Sequence, residues 1–151
     1  MDDSMIEEFK IEAQEMFETS EDGFLKIENG DDFVSNYNLI FRAFHSLKGA
    51  AGMFGIEDLQ SHMHKLESLF EAQKSKGKLE KAQIDYFLAG IDVAKSLLDG
   101  KKVSFKYYTT DEFNSLDTDT PAQNDLKPTV LATEKISNEI REKHKDSNGP
   151  K

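Results

Sequence analysis

Residues 40–55 read IFRAFHSLKGAAGMFG, and this stretch decides the fold of the chain. On a helical wheel at about 100° per residue, its apolar side chains gather on one face. Those side chains are Ile40, Ala43, Leu47 and Phe54. His45 points nearly the opposite way and shares its face with Lys48, Gly49 and Gly52, all within about 60° of it. The stretch therefore predicts an amphipathic helix with a core face and a second, polar face.

Two glycines on the solvent side of a helix need an explanation. Each costs about 1 kcal/mol relative to alanine, because glycine loses more backbone freedom on folding than any other residue. A helix that serves only to pack a bundle has no use for them on the face away from the core. We therefore expect Gly49 and Gly52 to leave room for another molecule to approach closely.

Helical periodicity extends on both sides of this stretch. A first helix is predicted over residues 4–28, where Gly23 could cause a kink or an early end. The quoted stretch belongs to a second helix over residues 33–54. A third follows Gly55 and ends near residue 77, and a fourth ends at residues 99–100. Four amphipathic helices with short connections predict an all-α fold, an antiparallel up-down four-helix bundle over residues 1–100.

The helical signal weakens after residue 100. Val103, Phe105 and Tyr107 alternate with polar residues over too few positions to form a sheet. Residues 101–128 are therefore predicted to be a loop or linker, rich in Thr, Asp and Asn towards its end. Residues 129–144 could form a fifth helix within a C-terminal tail over residues 129–151.

Composition excludes several classes of site. The chain of 151 residues has no Cys, which removes disulfides, thiolate metal sites and cysteine nucleophiles. Its net charge of −10 falls within residues 1–100, and such an acidic surface repels nucleic acid. No apolar run approaches the roughly 20 residues of a membrane span, and the N-terminus is acidic where a signal peptide is basic. We expect a soluble, cytoplasmic protein that binds neither nucleic acid nor membrane.

The segment from His45 to Gly52, HSLKGAAG, resembles the phosphorylation motif of histidine-containing phosphotransfer (Hpt) domains. The run onward through Gly55 is most similar to the N-terminal phosphotransfer domain of CheA-type chemotaxis kinases. The resemblance covers the four predicted helices. It implies that His45 accepts a phosphoryl group from a kinase and passes it to an aspartate of a response regulator. It further implies that Lys48 supports this chemistry and that Gly49 and Gly52 form a platform for partner docking.

Two residues of the third helix complete the predicted site. His64 and Glu67 lie one helical turn apart, and a hairpin that turns at Gly55 places His64 at a height similar to that of His45. The resemblance implies that His64 and Glu67 form a hydrogen-bond network, which fixes the tautomer of His45. His62 lies nearer the edge of the core and is predicted to be structural.

The chemistry fits a relay that depends on partners. A neutral imidazole can attack a γ-phosphoryl group directly, and a lysine one turn away brings positive charge toward the phosphoryl oxygens. The sequence holds no recognisable nucleotide-binding motif, so the chain carries no cofactor and is not a complete kinase. We expect ATP and Mg²⁺ on the catalytic domain of a histidine kinase, and a further Mg²⁺ on a CheY-like or CheB-like receiver domain.

Alternative interpretations stay open at this point. The chain could be the N-terminal piece of a CheA-type kinase, or a separate Hpt relay protein outside chemotaxis. A different class is a metal-binding helical bundle that uses His45, His64 and Glu67, with His62 as a further ligand. Bundle metal sites draw several glutamates inward from at least three helices. The first and fourth predicted helices place their acidic residues outward, which disfavours this class.

Overall fold

Four long helices dominate the structure, a computed structural model that describes residues 3–116. They are α1 (Asp3–Glu28), α2 (Phe33–Met53), α3 (Glu57–Glu71) and α4 (Lys81–Leu98). A short 3₁₀ helix, Lys74–Lys76, lies between α3 and α4, and a five-residue helix, α5 (Thr110–Asn114), follows α4. No strand occurs within the described range. None of its helices has the length and apolar character needed to cross a membrane.

Short, well-capped connections fix the direction of neighbouring helices. Asp32 caps α2 by accepting a hydrogen bond from the backbone N–H of Ser35 at 2.9 Å. Between α2 and α3 the chain reverses over residues 54–56, where Gly55 has a φ of +73°. Side chains disfavour this left-handed conformation, so glycine suits the turn. Connections this short make consecutive helices antiparallel.

The bundle closes into a ring of four helices. α1 packs against α2 and α4, and α3 packs against the same two helices. Stacked and edge-on aromatic rings fill the centre, for example Phe24 against Phe87 at 5.1 Å and against Phe70 at 5.4 Å between ring centroids. Such pairs add about 0.5–1.5 kcal/mol beyond the burial of their area. The predicted all-α, up-down four-helix bundle is confirmed.

The end of α1 matches the sequence-based expectation, and the end of α3 differs from it. α1 continues through Gly23 to Glu28, so the early end does not occur. A Cβ at Gly23 would lie 2.8 Å from Cγ1 of Ile40, which means that the glycine lets α1 and α2 approach closely. α3 ends at Glu71, earlier than predicted, and the 3₁₀ helix carries the chain onward to Gly77.

Residues 101–116, here called the C-terminal strap, pack along the outside of the bundle. Phe105 and Tyr108 lie against Tyr86 of α4, at 5.0 and 4.6 Å between ring centroids. Phe113 of α5 is fully buried and lies 5.1 Å from Phe87. The strap falls within the segment predicted to be a loop or linker, and α5 was not predicted. The predicted helix over residues 129–144 lies outside the described residues.

Candidate functional site

One hydrogen bond between α2 and α3 organises the site. Nδ1 of His45, on α2, lies 2.6 Å from Oε2 of Glu67 on α3. The side chain of His45 is 65% exposed, whereas that of Glu67 is 7% exposed. A buried carboxylate therefore holds one nitrogen of an exposed imidazole.

The same carboxylate holds a lysine. Nζ of Lys48 lies 2.6 Å from Oε1 of Glu67, so the two oxygens of Glu67 bind two different partners. The Lys48 side chain is 26% exposed and lies one turn beyond His45 on α2. Glu67 thus links the imidazole and the ammonium group into one unit.

The ionisation of Glu67 decides the tautomer of His45. Burial raises the pKa of Glu67, but hydrogen bonds and charge from Lys48 and His45 outweigh it, so this pKa lies below its ordinary value. An ionised carboxylate only accepts hydrogen bonds. The proton of a neutral His45 therefore sits on Nδ1 and is donated to Glu67, which leaves the lone pair of Nε2 free. The arrangement presents a nucleophilic nitrogen at the protein surface.

Gly49 and Gly52 have different surroundings. A Cβ added at Gly49 would meet nothing within 4 Å, so this position is open. A Cβ at Gly52 would lie 2.5 Å from Nε2 of Gln60, because the Gln60 side chain of α3 covers that glycine. The expectation of free space holds for Gly49. At Gly52 it needs correction, since a neighbouring helix fills the space from within the chain.

Comparison with known proteins identifies the family. A model of the Hpt domain matches residues 4–99, the whole of the four-helix bundle apart from its first residue. The chain belongs to the Hpt domain family.

Several curated relatives of this Hpt domain are chemotaxis proteins. Chemotaxis protein CheA of Rhizobium meliloti is 38% identical over 100 residues, which is 64% of this chain and 13% of that protein. Chemotaxis protein CheA of Salmonella typhimurium is 32% identical over 143 residues, 89% of this chain and 21% of that protein. Sensor histidine kinase CheAY of Helicobacter pylori is 27% identical over 149 residues, 97% of this chain and 17% of that protein. The chain therefore spans a small part of each relative.

His64 is not part of the hydrogen-bonded unit of this Hpt domain. Its side chain is exposed on α3 and lies beside a depression that Tyr107 and Thr109 of the strap also line. Within residues 3–116 it makes no hydrogen bond or ion pair. Of the two residues predicted to support His45 from α3, the structure thus brings only Glu67 into direct contact.

His62 is buried in the Hpt domain, on the side of α3 that faces α4. Its Nε2 donates to the backbone carbonyl of Gly90 at 2.8 Å, and its Nδ1 accepts from the hydroxyl of Tyr107 at 2.6 Å. Burial lowers the pKa of His62 to about 4. The neutral ring thus ties α3 to α4 and to the strap, which agrees with a structural role.

The metal-binding interpretation gains no support from the Hpt domain as described. Across residues 3–116, no three or more His, Asp or Glu side chains are grouped so that they could hold a metal ion. His64 makes no hydrogen bond or ion pair with Glu67 or His45 there, although the metal-binding interpretation uses all three as ligands.

One residue beside His45 was missed by the sequence reasoning. The ring of Phe41 stacks on that of His45, with 6.2 Å between centroids and 14° between planes. The signal was present in the sequence, because residues four apart on a helix are neighbours on its surface. On the same helical wheel Phe41 lies about 40° from His45, nearer than Lys48, so it belongs to the His45 face.

Proposed function

We propose that this Hpt domain works as a phosphoryl relay in chemotaxis two-component signalling. His45 takes the γ-phosphoryl group of ATP from the catalytic domain of a histidine kinase and passes it to an aspartate of a response regulator. The observation that carries this proposal is the hydrogen bond from Nδ1 of His45 to Glu67, which leaves Nε2 free on an exposed surface. The CheA names of the relatives support the chemotaxis assignment.

The reaction needs no general base. The lone pair of Nε2 attacks the γ-phosphorus, an N–P bond forms, and the bond from phosphorus to the ADP oxygen breaks. Since Nδ1 keeps its proton, positive charge develops on the ring as the N–P bond forms. The ionised carboxylate of Glu67, 2.6 Å from Nδ1, stabilises that charge. Glu67 thus favours the reactive tautomer before transfer and stabilises the ring during it.

Lys48 balances the charge of the site. Its ammonium group is held by Glu67, one turn from His45, and its side chain is 26% exposed. We propose that it keeps Glu67 ionised in the resting state and offers positive charge to the oxygens of the incoming phosphoryl group. We also propose a supporting role for His64, which rests on the resemblance of the His-x-x-Glu pattern to that of CheA-type domains.

The partners supply what this chain lacks. We propose that ATP and Mg²⁺ are bound by the kinase catalytic domain, and that a CheY-like or CheB-like receiver domain brings its own Mg²⁺. Gly49, which is open, and the neighbouring Gly52 with its Gln60 cover would form the surface on which the receiver docks. Because ATP is the phosphoryl source, we place the relay in the cytoplasm.

A labelling experiment tests the proposal. The chain is incubated with γ-labelled ATP, Mg²⁺ and the catalytic domain of a CheA kinase. We expect an acid-labile, alkali-stable label, as is typical of an N–P bond, that a receiver domain then removes. His45→Gln should abolish the label. His64→Gln should retain it, and this variant is the matched control because His64 is also an exposed histidine on the neighbouring helix. Full labelling of the His45→Gln variant would refute the assignment.

A further inference from the structure

We propose that Phe41 is a positioning residue for phosphoryl transfer, because its ring sets the plane of the His45 imidazole. The two rings lie 14° from parallel with their centroids 6.2 Å apart. This separation is within the range at which offset aromatic rings attract each other. The inference rests on the proposed function, since it concerns how the phosphoryl acceptor is held.

Phe41 is itself held by the core. Tyr37, one turn earlier on α2, stacks on Phe41 at 5.9 Å and 10°. Tyr37 in turn stacks at 4.5 Å and 16° on Phe70, which is fully buried in α3. Three consecutive near-parallel contacts thus lead from the centre of the bundle to His45. The half-buried ring of Phe41 is therefore held by its neighbours, and the exposed imidazole lies near-parallel beside it.

The hydrogen bond to Glu67 alone does not orient the imidazole. It is a single contact at one edge of an exposed ring, and because a hydrogen bond tolerates a range of angles, the two side-chain torsions of His45 can still shift and move Nε2. A near-parallel aromatic ring beside the imidazole opposes this shift. With both restraints, Nε2 keeps one direction, which in-line attack on a phosphoryl group requires. Glu67 sets the tautomer, and Phe41 sets the plane.

Steady-state kinetics separate positioning from partner contact. The full chain is used as substrate for a CheA catalytic domain with ATP and Mg²⁺, and kcat and KM for the chain are measured. Phe41→Leu keeps an apolar side chain but removes the flat ring, and we expect kcat to fall about three- to tenfold, the range that corresponds to one aromatic pair. KM should stay unchanged. Phe41→Tyr restores a ring and should restore kcat.

Phe33→Leu is the matched control. Phe33 is also a half-buried aromatic residue of α2, and its ring lies 5.8 Å from that of Tyr37 at a tilt of 31°, about three turns from His45. The same atoms are removed there, so a general loss of packing would affect both variants, whereas positioning affects only Phe41. If Phe41→Leu proves too unstable, Phe41→Met carries the same test with a flexible side chain of similar volume.

Each outcome decides between the two claims. A wild-type chain labelled on His45, together with a lower kcat for Phe41→Leu alone, supports the positioning role. An unchanged kcat in Phe41→Leu, or a change confined to KM, overturns that role while the proposed function stands. A wild-type chain that takes no label on His45 overturns both.

Discussion

Nδ1 of His45 and Oε2 of Glu67 lie 2.6 Å apart and join α2 to α3 across the edge of the bundle. The second oxygen of the same carboxylate binds Lys48. One buried acidic group therefore controls the tautomer of an exposed histidine and the place of a nearby positive charge. The site therefore depends on a pairing between two residues that lie on different helices and are 22 positions apart in the sequence.

Removing the charge of Glu67 should slow phosphorylation without abolishing it. In a Glu67→Gln variant the amide oxygen can still accept the Nδ1 proton, but the negative charge that stabilises the developing imidazolium is lost. We expect the rate to fall about 10–100-fold, by analogy with the loss that follows when the hydrogen-bond partner of a metal-bound histidine is changed. The rate at which a CheA catalytic domain transfers label from ATP to the chain measures this fall.

His64→Ala provides the comparison. His64 lies three residues from Glu67, just as Lys48 lies three residues from His45. Unlike Lys48, it makes no hydrogen bond or ion pair with the site within residues 3–116. We expect a smaller loss of rate than for Glu67→Gln. An equal or larger loss would mean that His64 acts on His45 in a way that this geometry does not contain.

The two glycines of the proposed docking surface, Gly49 and Gly52, should respond differently to alanine. Gly49→Ala adds a Cβ in open space and should stabilise the chain by up to about 1 kcal/mol, the helix-propensity difference. Gly52→Ala forces the Gln60 amide away and should gain less. Chemical unfolding of both variants measures the difference. In the double variant Gly52→Ala/Gln60→Ala the Gln60 side chain no longer blocks the new Cβ, so the gain in stability should return. Equal gains in Gly49→Ala and Gly52→Ala would contradict the contact between Gln60 and Gly52.

The buried His62 should make stability depend on pH. Its pKa is about 4 in the folded chain and about 6.5 when unfolded, so between these values the unfolded chain binds the proton and the folded chain does not. The free energy of unfolding should therefore fall as pH falls from 6.5 to 4, by at most about 1.4 kcal/mol per pH unit. Above pH 6.5 His62 is neutral in both the folded and the unfolded chain, so this loss of stability is absent there.

A His62→Gln variant isolates that contribution. Because glutamine does not titrate, the variant should show a flatter decline between pH 6.5 and 5, whatever its stability at neutral pH. Unfolding in urea at several pH values gives both curves. Parallel curves for the wild type and the variant would show that His62 is not the group responsible.

The C-terminal strap should be held by Tyr86. Its hydroxyl donates to the carbonyl of Lys106 at 2.7 Å and accepts from the backbone N–H of Tyr108 at 3.1 Å. Tyr86→Phe leaves both strap groups without this partner, and we expect a loss of about 1–3 kcal/mol together with faster amide exchange at Tyr108. Tyr37→Phe is the control, because within the described residues the Tyr37 hydroxyl makes no hydrogen bond. Unchanged exchange at Tyr108 in the Tyr86 variant would contradict this role.

Local patterns made the bundle predictable. Helical periodicity and the turn residues around Asp32 and Gly55 are signals within a few residues, and the helices lie close to where these signals put them. The pairing of α2 with α3 followed from a hairpin that turns at Gly55. The side chain of α3 that bonds His45 could not be predicted, because a helical wheel places Glu67 and His64 on similar faces and cannot show which of them reaches His45.

Contacts between distant segments were not predictable in the same way. Gln60 covers Gly52 because two helices pack at a particular depth, which no spacing along one helix reveals. The strap alternates over too few residues to suggest a strand, and its order comes from aromatic packing on Tyr86, 22 residues before Tyr108. The capping box of α5, Thr109 with Glu112, was a local signal that could have been found.

The position of the phosphoryl group on the His45 ring is the most direct test. After labelling by a CheA catalytic domain, two-dimensional NMR of the ¹⁵N-labelled chain distinguishes a phosphoryl group on Nε2 from one on Nδ1. Because Glu67 occupies Nδ1, we predict phosphorylation of His45 on Nε2, with the Nδ1 proton retained. A phosphoryl group on Nδ1 of His45, or on any other residue, would contradict the account.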